Sequence, residues 1–194
     1  MNSIINILSK NPDKSDCKSR LRYFLSNSER IYLSKKMLEM TCDTIIKVNS
    51  STAMYLHPNK YGMFVEKLSR KYKIDLISQE NGYLSDKIYF ALNNNKRGYE
   101  KRIVIGSDIP TLSSNELNDC LNLLDSHDLV LGPSKDGGFY LVGVKHEVHS
   151  IFKDLNLNTI LTNDLLKLCE KNSIKYKLIR TLKDIDEPND LLFI

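Results

Sequence analysis

Tryptophan is absent from this chain, and glycine, proline and cysteine are scarce, with 8, 5 and 4 residues among 194. No apolar run approaches the ~20 residues that a membrane-spanning helix needs. The first residues lack the basic start and the long apolar stretch of a signal peptide. Charged residues make up 27% and hydrophobic residues 41%, which is typical of a globular chain and not of a disordered one. We therefore expect a cytoplasmic globular protein without a membrane span.

The few cysteines and histidines show no metal-binding spacing. Neither a C-x-x-C pair nor a cysteine–histidine pair at zinc spacing occurs. His146 and His149 are expected to be a loop pair. All four cysteines are predicted to be free thiols. Cys42, Cys120 and Cys169 lie in helical segments, where we expect them to be core or half-buried residues, and the fourth is Cys17.

The charge pattern argues against a nucleic-acid surface. Net charge is +4, and basic residues are scattered among acidic ones. No basic stripe with interleaved aromatic residues is present, so we expect no nucleic-acid partner.

Short apolar runs alternate with segments of helical periodicity along the whole chain. We predict strands at 4–8, 52–57, 74–78, 102–106, 129–131, 139–144 and 174–179. We predict a helix at 28–47 with Ser28 as its N-cap. Further helices are predicted at 61–71, 84–92, 113–126 and 159–171, with a turn at 93–98 and a last helical turn at 190–194. This alternation predicts one α/β domain over residues 1–194, a three-layer αβα sandwich around a mostly parallel open sheet. In such sheets, ligands bind beyond the carboxyl ends of the strands.

Five of the eight glycines fall between Gly106 and Gly143, inclusive. Because glycine is costly unless a turn or a close backbone approach requires it, this stretch is the first place to look for a site. The clearest strand, 102–106, ends directly before Asp108 and Pro110. A carboxylate at the tip of a buried strand suits a hard cation such as Mg²⁺ or Mn²⁺. The alternative is that Asp108 only caps a turn.

A second motif surrounds the adjacent glycines Gly137 and Gly138. Such a pair lets the backbone approach a ligand closely. Asp136-Gly137 is equally a strong signal for a hairpin turn between two strands. Taken alone, this segment favours the turn.

Asp184 and Asp186 alternate along an extended segment, which would point both carboxylates the same way. A carboxylate-lined metal site needs that arrangement. A solvated acidic tail with a helix beginning at Pro188 is the other interpretation.

Cations follow the first strand at Lys10, Lys18 and Arg20. On a loop at the carboxyl end of a strand, arginine and lysine side chains can bind phosphate oxygens. A solvated loop would carry the same residues.

In this order, the four segments resemble a bacterial family of short glycosyltransferase-like proteins with the Rossmann-like GT-A fold of nucleotide-diphospho-sugar transferases. Some of its members are arsenosugar-biosynthesis glycosyltransferases. The resemblance spans Lys10 to Leu191, and its most specific motifs are 106–110 and 132–141. The family's loop K-x-P-x-x-G-x-x-K-T-R-L falls on 10–21, with Ser15 in place of its glycine. Its Gln and Gly-x-Leu motif falls on Gln79 and 82–84, and its closing D-x-D-T-P-x-D-L on 184–191.

This resemblance implies a role for each matched residue. Asp108 would bind the metal, Mg²⁺ or Mn²⁺, with Asp186 or Asp184 as a second carboxylate. The nucleotide and its phosphates would lie against four side chains: Lys10, Lys18, Arg20 and Gln79. The acceptor or sugar would lie against the glycine turn and the strand after it: Gly137, Gly138 and Phe139, with Asp136 as general base beside the catalytic Asp108.

The leading expectation is therefore a metal-dependent glycosyltransferase with a nucleotide-diphospho-sugar donor and a small-molecule acceptor. The metal would neutralise the diphosphate leaving group, and Asp136 would deprotonate the acceptor hydroxyl.

Two alternatives stand beside this expectation. The first is a nucleotidyltransferase that releases pyrophosphate from a nucleoside triphosphate. Its relatives on this fold carry a glycine-rich loop after the first strand, whereas no glycine precedes Gly62 here. The second is a catalytically silent nucleotide-binding protein, because fold does not fix function. An edge position for the strand 139–144 would also allow a homodimer.

Overall fold

One continuous sheet of seven strands runs through the protein. The computed structural model describes residues 2–94, 98–145, 150–153, 155 and 157–193. The strands are β1 (Ser3–Lys10), β2 (Ser51–His57), β3 (Asp75–Ser78), β4 (Lys101–Ile105), β5 (Leu129–Pro133), β6 (Phe139–Lys145) and β7 (Tyr176–Leu178). Their order is β3-β2-β1-β4-β6-β5-β7. All pairs are parallel except those of β6, which is antiparallel to both β4 and β5. The predicted mostly parallel α/β sheet is confirmed.

Helices cover both faces of this sheet. They are α1 (Asn27–Ile45), α2 (Met63–Tyr72), α3 (Leu84–Asn93), α4 (Ser114–Leu123) and α5 (Thr162–Lys171), with 3-10 turns at Ser19–Leu21 and Pro188–Phe193. Helices α1, α2 and α4 bury apolar side chains against one face, and α3 and α5 against the other. Alternation along β1 serves both cores, since Ile5 and Ile7 belong to the first and Ile4 to the second. No helix in the described ranges is long and apolar enough to cross a membrane.

Each predicted strand and helix exists, but several boundaries differ. Helix α1 begins one residue before the predicted Ser28, after the N-cap Ser26. Helix α5 begins at Thr162 and not at Thr159, and β7 is only three residues long. The last helical turn is a 3-10 turn over Pro188–Phe193. Residues 95–97 of the predicted turn and the pair His146 and His149 lie outside the described residues.

The four cysteines are buried free thiols, as predicted, and three lie in helices α1, α4 and α5. Burial raises the pKa of the Cys42 thiol to about 12 and that of Cys169 to about 11, so neither is an activated thiolate.

Residues 139–144 do not form an edge strand, the position that would have allowed them to pair with a second copy. Strand β6 is paired on both sides, with β4 and with β5, so no unpaired edge remains through which it could join a second copy. Its reversed direction has a consequence for the site. Because β6 is antiparallel to β4, its first residue, Phe139, lies at the edge of the sheet where the parallel strands end. The ends of β1, β4 and β5 and the start of β6 therefore meet.

Candidate active site

A cleft of about 590 Å³ opens at this edge of the sheet. It extends from Ser34 and Met37 on α1 to Leu84 and Ile88 on α3, across the ends of the central strands. Nine of the residues singled out in the sequence line it: Lys10, Lys18, Arg20, Asp108, Asp136, Gly138, Phe139, Asp184 and Asp186. Segments that are more than 170 residues apart in sequence thus meet in one site, since Lys10 and Asp186 both belong to it.

Lys18 lies at the centre of the charged part of the cleft. Its Nζ is 3.0 Å from Asp108 Oδ2 and 3.0 Å from Asp186 Oδ1, and only 9% of its side chain is exposed. Burial works to lower the pKa of Lys18, but the two carboxylates outweigh it and raise the pKa above its usual value. The side chain is therefore an ammonium ion held between two carboxylates.

The other two cations of this loop are more exposed. Arg20 donates from Nη1 to Asp186 Oδ2 at 2.9 Å, with 69% of its side chain exposed. Lys10 donates to the backbone carbonyl of Asp16 at 3.2 Å. Both therefore have room to rotate towards a ligand without leaving a buried charge unpaired.

The loop that carries these cations is held by polar side chains and contains no glycine. Asn11, fully buried, donates to the carbonyls of Asn59 and Tyr61 at 2.9 and 3.0 Å and accepts the N–H of Asp13 at 3.0 Å. Asp13 in turn accepts the N–H of Phe64 at 2.8 Å, in the first turn of α2. Sequence reasoning missed both residues. Asn11-Pro12-Asp13, a turn-forming sequence directly after a strand, was the signal that could have found them.

The carboxylates approach from two further segments. Asp108 follows β4, and Asp184 and Asp186 precede the last 3-10 turn. The segment 183–187 is not a strand, but both carboxylates reach the cleft as the alternation predicted. Asp190 fixes this segment, because its Oδ2 accepts the N–H groups of Asp186 at 2.9 Å and Glu187 at 2.6 Å. Sequence reasoning gave Asp190 no role, although it belongs to the closing motif.

The motif with adjacent glycines forms the predicted hairpin turn between β5 and β6. Asp136 accepts hydrogen bonds from the Ser134 hydroxyl and from the Gly138 N–H, the latter at 2.9 Å. Gly137 has a φ of +91°, which favours glycine. Gly138 and Phe139 line the cleft, whereas Gly137 does not. The Gly137 carbonyl instead accepts the Thr162 N–H at 2.9 Å. The hairpin and a cleft wall are thus the same segment.

Gln79 does not line the cleft, contrary to what the resemblance implied. Its side-chain amide donates to the carbonyls of Ser9 at 3.1 Å and Tyr55 at 2.8 Å. It therefore joins the ends of β1 and β2, which positions Lys10 on the next residue of β1.

Among the residues that the structure describes, no group of three or more histidine, cysteine, aspartate or glutamate side chains is arranged to hold a metal ion. Asp108 and Asp186 nevertheless fit one, because an oxygen of each already lies 3.0 Å from a single cationic nitrogen. Mg²⁺ is usually bound through one or two carboxylates together with substrate phosphates. The donor set fits a metal shared with a nucleotide better than an ion enclosed by protein alone.

Comparison with known proteins gives a family and several relatives. Residues 44–159 match the family "Uncharacterized protein conserved in bacteria (DUF2064)". The 2-phospho-L-lactate guanylyltransferase of Methanocaldococcus vulcanius is 27% identical over 177 residues, which cover 90% of this chain and 76% of that protein.

Solved structures share the fold at low identity. A protein from Desulfovibrio desulfuricans G20, assigned to the nucleotide-diphospho-sugar transferases, superposes with a TM-score of 0.86 at 19% identity, covering 96% of this chain and 83% of the other. The 4-diphosphocytidyl-2C-methyl-D-erythritol synthase of Anaerococcus prevotii has a TM-score of 0.70 at 14% identity, covering 98% and 93%.

Structures of this fold also include metal complexes. An example is the glucosyl-3-phosphoglycerate synthase of Mycobacterium tuberculosis with Mn²⁺ and UDP (TM-score 0.63, 9% identity, covering 98% of this chain and 74% of the other). The family match covers more than half of the chain, and the superpositions confirm the fold that the motifs implied. The chain therefore belongs to the DUF2064 family and has the fold of the nucleotide-diphospho-sugar transferases.

Proposed function

We propose that this protein is a metal-dependent nucleotidyltransferase, which transfers a nucleoside monophosphate from a nucleoside triphosphate to a small-molecule acceptor. The carrying observation is the cluster of Lys18, Asp108 and Asp186, with Arg20 and Lys10 in the same cleft. Such a cluster can bind phosphate oxygens and a divalent cation side by side. The names of the guanylyltransferase relative and of the cytidylyl-transferring neighbour support this function over the glycosyltransferase expected first.

The glycine-poor loop is no strong argument against this proposal. Asn11 and Asp13 hold the loop through side-chain hydrogen bonds, and the Ser15 hydroxyl donates to the Asn11 carbonyl at 2.9 Å. Lys18 itself adopts a left-handed backbone conformation, with φ 49° and ψ 47°, a region that glycine normally favours. The fixed loop therefore presents its cations without glycine.

In this proposal Asp108 and Asp186 would hold Mg²⁺ or Mn²⁺, which would supply charge neutralisation to the phosphates. Lys18, Arg20 and Lys10 bind phosphate oxygens and orient the triphosphate. An acceptor oxygen forms the bond to the α-phosphorus while the bond to the bridging oxygen breaks. Pyrophosphate leaves with the electron pair of that bond.

The other half of the cleft indicates a hydroxyl acceptor. Within the described residues, the cations that line the cleft all come from the loop 10–20. The remaining wall carries two carboxylates, Asp136 and Asp184, and apolar or neutral side chains such as Phe139, Thr159 and Ile160. Cations would be expected around a phosphorylated acceptor. A hydroxyl acceptor instead needs a base, and Asp136 is held in place to accept its proton.

This same wall favours a second candidate function, glycosyl transfer from a nucleotide-diphospho-sugar to a hydroxyl. Product analysis separates the two reactions. Purified protein with Mg²⁺ or Mn²⁺ is offered nucleoside triphosphates and nucleotide-diphospho-sugars, each with sugars, polyols, hydroxy acids and their phosphates. Pyrophosphate indicates nucleotidyl transfer, and a free nucleoside diphosphate indicates glycosyl transfer. Donor binding without turnover of any pair would support the silent protein.

Asp108→Ala tests the assignment of the metal carboxylate. We expect turnover to fall at least ~100-fold, because a charge-stabilising group at the transferred phosphate is lost. Asp119→Ala, an exposed carboxylate on α4, is the matched control and should keep wild-type turnover. Wild-type metal binding and turnover in Asp108→Ala would refute the assignment.

A further inference from the structure

We propose that Lys18 occupies the position of the divalent cation in the ligand-free protein, so that the metal binds tightly only together with the nucleotide. The proposal rests on the function proposed above, since it assigns a nucleotide to the same cleft. It goes beyond phosphate binding by Lys18, because the lysine here regulates when the metal binds.

The geometry places one cation where a metal would be expected. Lys18 Nζ lies 3.0 Å from an oxygen of Asp108 and 3.0 Å from an oxygen of Asp186. Oxygens that converge on one point from two separate segments are what a divalent cation would need. A metal ion bound to the same two oxygens would lie next to the ammonium group, and the two cations would repel each other strongly. The metal can therefore use both carboxylates only after Lys18 has moved.

Charge balance explains why the ligand-free site prefers lysine. Lys18 and Arg20 carry two positive charges, and Asp108 and Asp186 carry two negative charges. These four side chains are neutral as a group, so a divalent cation alone would give the group two excess positive charges. The whole cleft has three cations against four carboxylates, so the ion would still turn its net charge positive. A triphosphate supplies the missing negative charge and also gives the Lys18 ammonium new oxygen partners.

The structure provides for this movement. The backbone of Lys18 is fixed at the start of the 3-10 turn Ser19–Leu21, but its side chain has a flexible four-carbon stem. Arg20 is bonded to the second oxygen of Asp186, so that carboxylate keeps a partner when Lys18 leaves. Lys10 lines the same cleft. Phosphates bound beside Lys10 would therefore offer oxygens to the Lys18 side chain after it leaves the carboxylates.

The test measures Mn²⁺ affinity without nucleotide, through the electron paramagnetic resonance signal of free Mn²⁺. We expect Lys18→Met to bind Mn²⁺ about tenfold more tightly than the wild type, within the usual range of coupling between sites. Lys18→Arg keeps the positive charge and should bind Mn²⁺ as weakly as the wild type. Lys10→Met is the matched control, because it removes a lysine from the same cleft but leaves the carboxylate pair bridged.

Thermal unfolding gives a second readout for the same variants. Lys18→Met leaves Asp108 and Asp186 without their shared partner, so its melting temperature should fall without metal and recover with Mn²⁺. If Lys18→Met does not fold without metal, its recovery in Mn²⁺ alone gives the same answer. Equal Mn²⁺ affinity in Lys18→Met and wild type, equal tightening in Lys10→Met, or no Mn²⁺ binding by Lys18→Met would each overturn the proposal.

This experiment needs no turnover, so it fails separately from the proposed function. Tighter Mn²⁺ binding by Lys18→Met, with no donor consumed by the wild type, would leave the lysine exchange standing and reject the nucleotidyltransferase. Pyrophosphate release by the wild type, with unchanged affinity in Lys18→Met, would do the reverse.

Discussion

At the scale of single residues, the Asp184 carboxylate in the cleft lowers the stability of the ligand-free protein. Partial burial, followed by the nearby Asp136 charge, raises the pKa of Asp184 to about 6 from 3.8. Because this pKa is higher in the folded chain than in the unfolded chain, the protonated carboxyl favours folding. That contribution is complete below about pH 4 and is lost as the pH rises through 6. At pH 7.5 the ionised group therefore destabilises the protein.

We expect Asp184→Asn to stabilise the metal-free protein at pH 7.5. The gain is about 1 kcal/mol once solvent screening of this half-exposed group is allowed for. At pH 5 the gain should shrink, because the wild-type carboxyl is then mostly protonated. Chemical denaturation in a chelator at both pH values measures it, with the exposed Asp119→Asn as control. An equal gain at the two pH values would show that the raised pKa is not its cause.

Residues whose position depends on local sequence were predictable, and those that depend on packing were not. Asp108 follows a strong strand, so its place at the carboxyl edge followed from the sequence alone. Gln79 also follows a strand, but its amide bonds to Ser9 and Tyr55 on neighbouring strands. Gly137 turns its carbonyl towards Thr162. No local pattern encodes partners that lie so far away along the chain.

At the scale of the elements, the start of α1 shows a misread cap. Ser26 and Ser28 both precede the first apolar residues of the helix. Ser26 Oγ accepts the Glu29 N–H at 3.3 Å, and the Glu29 carboxylate accepts the Ser26 N–H at 2.8 Å. This reciprocal pair is a capping box, which needs Ser-x-x-Glu and therefore selects Ser26. The glutamate three residues on was the signal that the prediction of Ser28 left unused.

Ser26→Ala should lower the free energy of unfolding by about 1 kcal/mol, the usual loss when an N-cap hydroxyl is removed. Ser28→Ala should lower it by less than half of that, although its hydroxyl lies 3.1 Å from that of Ser26. Urea denaturation of the two variants beside the wild type measures both changes. A larger loss in Ser28→Ala would mean that the cap has been assigned to the wrong serine.

Strand β6 shows what the sequence could not reveal about the elements. The Asp136-Gly137 signal predicted its hairpin with β5, a local feature. Its pairing with β4 joins residues about 40 positions apart (Ile105 with Leu141), and no periodicity records it. That pairing fills the interior of the sheet. It also brings Phe139 to the cleft edge, so the acceptor wall depends on a non-local contact.

At the scale of the whole molecule, the cleft is lined by residues from the layers on both faces of the sheet. Its walls include Ile109, which belongs to one apolar core, and Ile88 on the α3 side, which belongs to the other. A ligand that fills the cleft contacts both layers and the loop 10–21. Since the unfolded chain has no such cleft, binding should stabilise the folded protein as a unit.

We therefore expect metal and nucleotide together to raise the melting temperature more than either does alone. With the metal–nucleotide complex present at about 100 times its dissociation constant, the expected stabilisation is about 2.7 kcal/mol, or roughly 5–10 °C for a chain of this size. Mn²⁺ alone should shift the wild type little, because Lys18 already bridges Asp108 and Asp186. Nucleotide alone should have an intermediate effect, because the cations bind phosphates without the metal. Asp108→Ala should lose the joint shift and keep the part due to nucleotide alone. A full shift with Mn²⁺ alone would mean that the carboxylates bind metal independently, and it would separate metal binding from nucleotide binding in this fold.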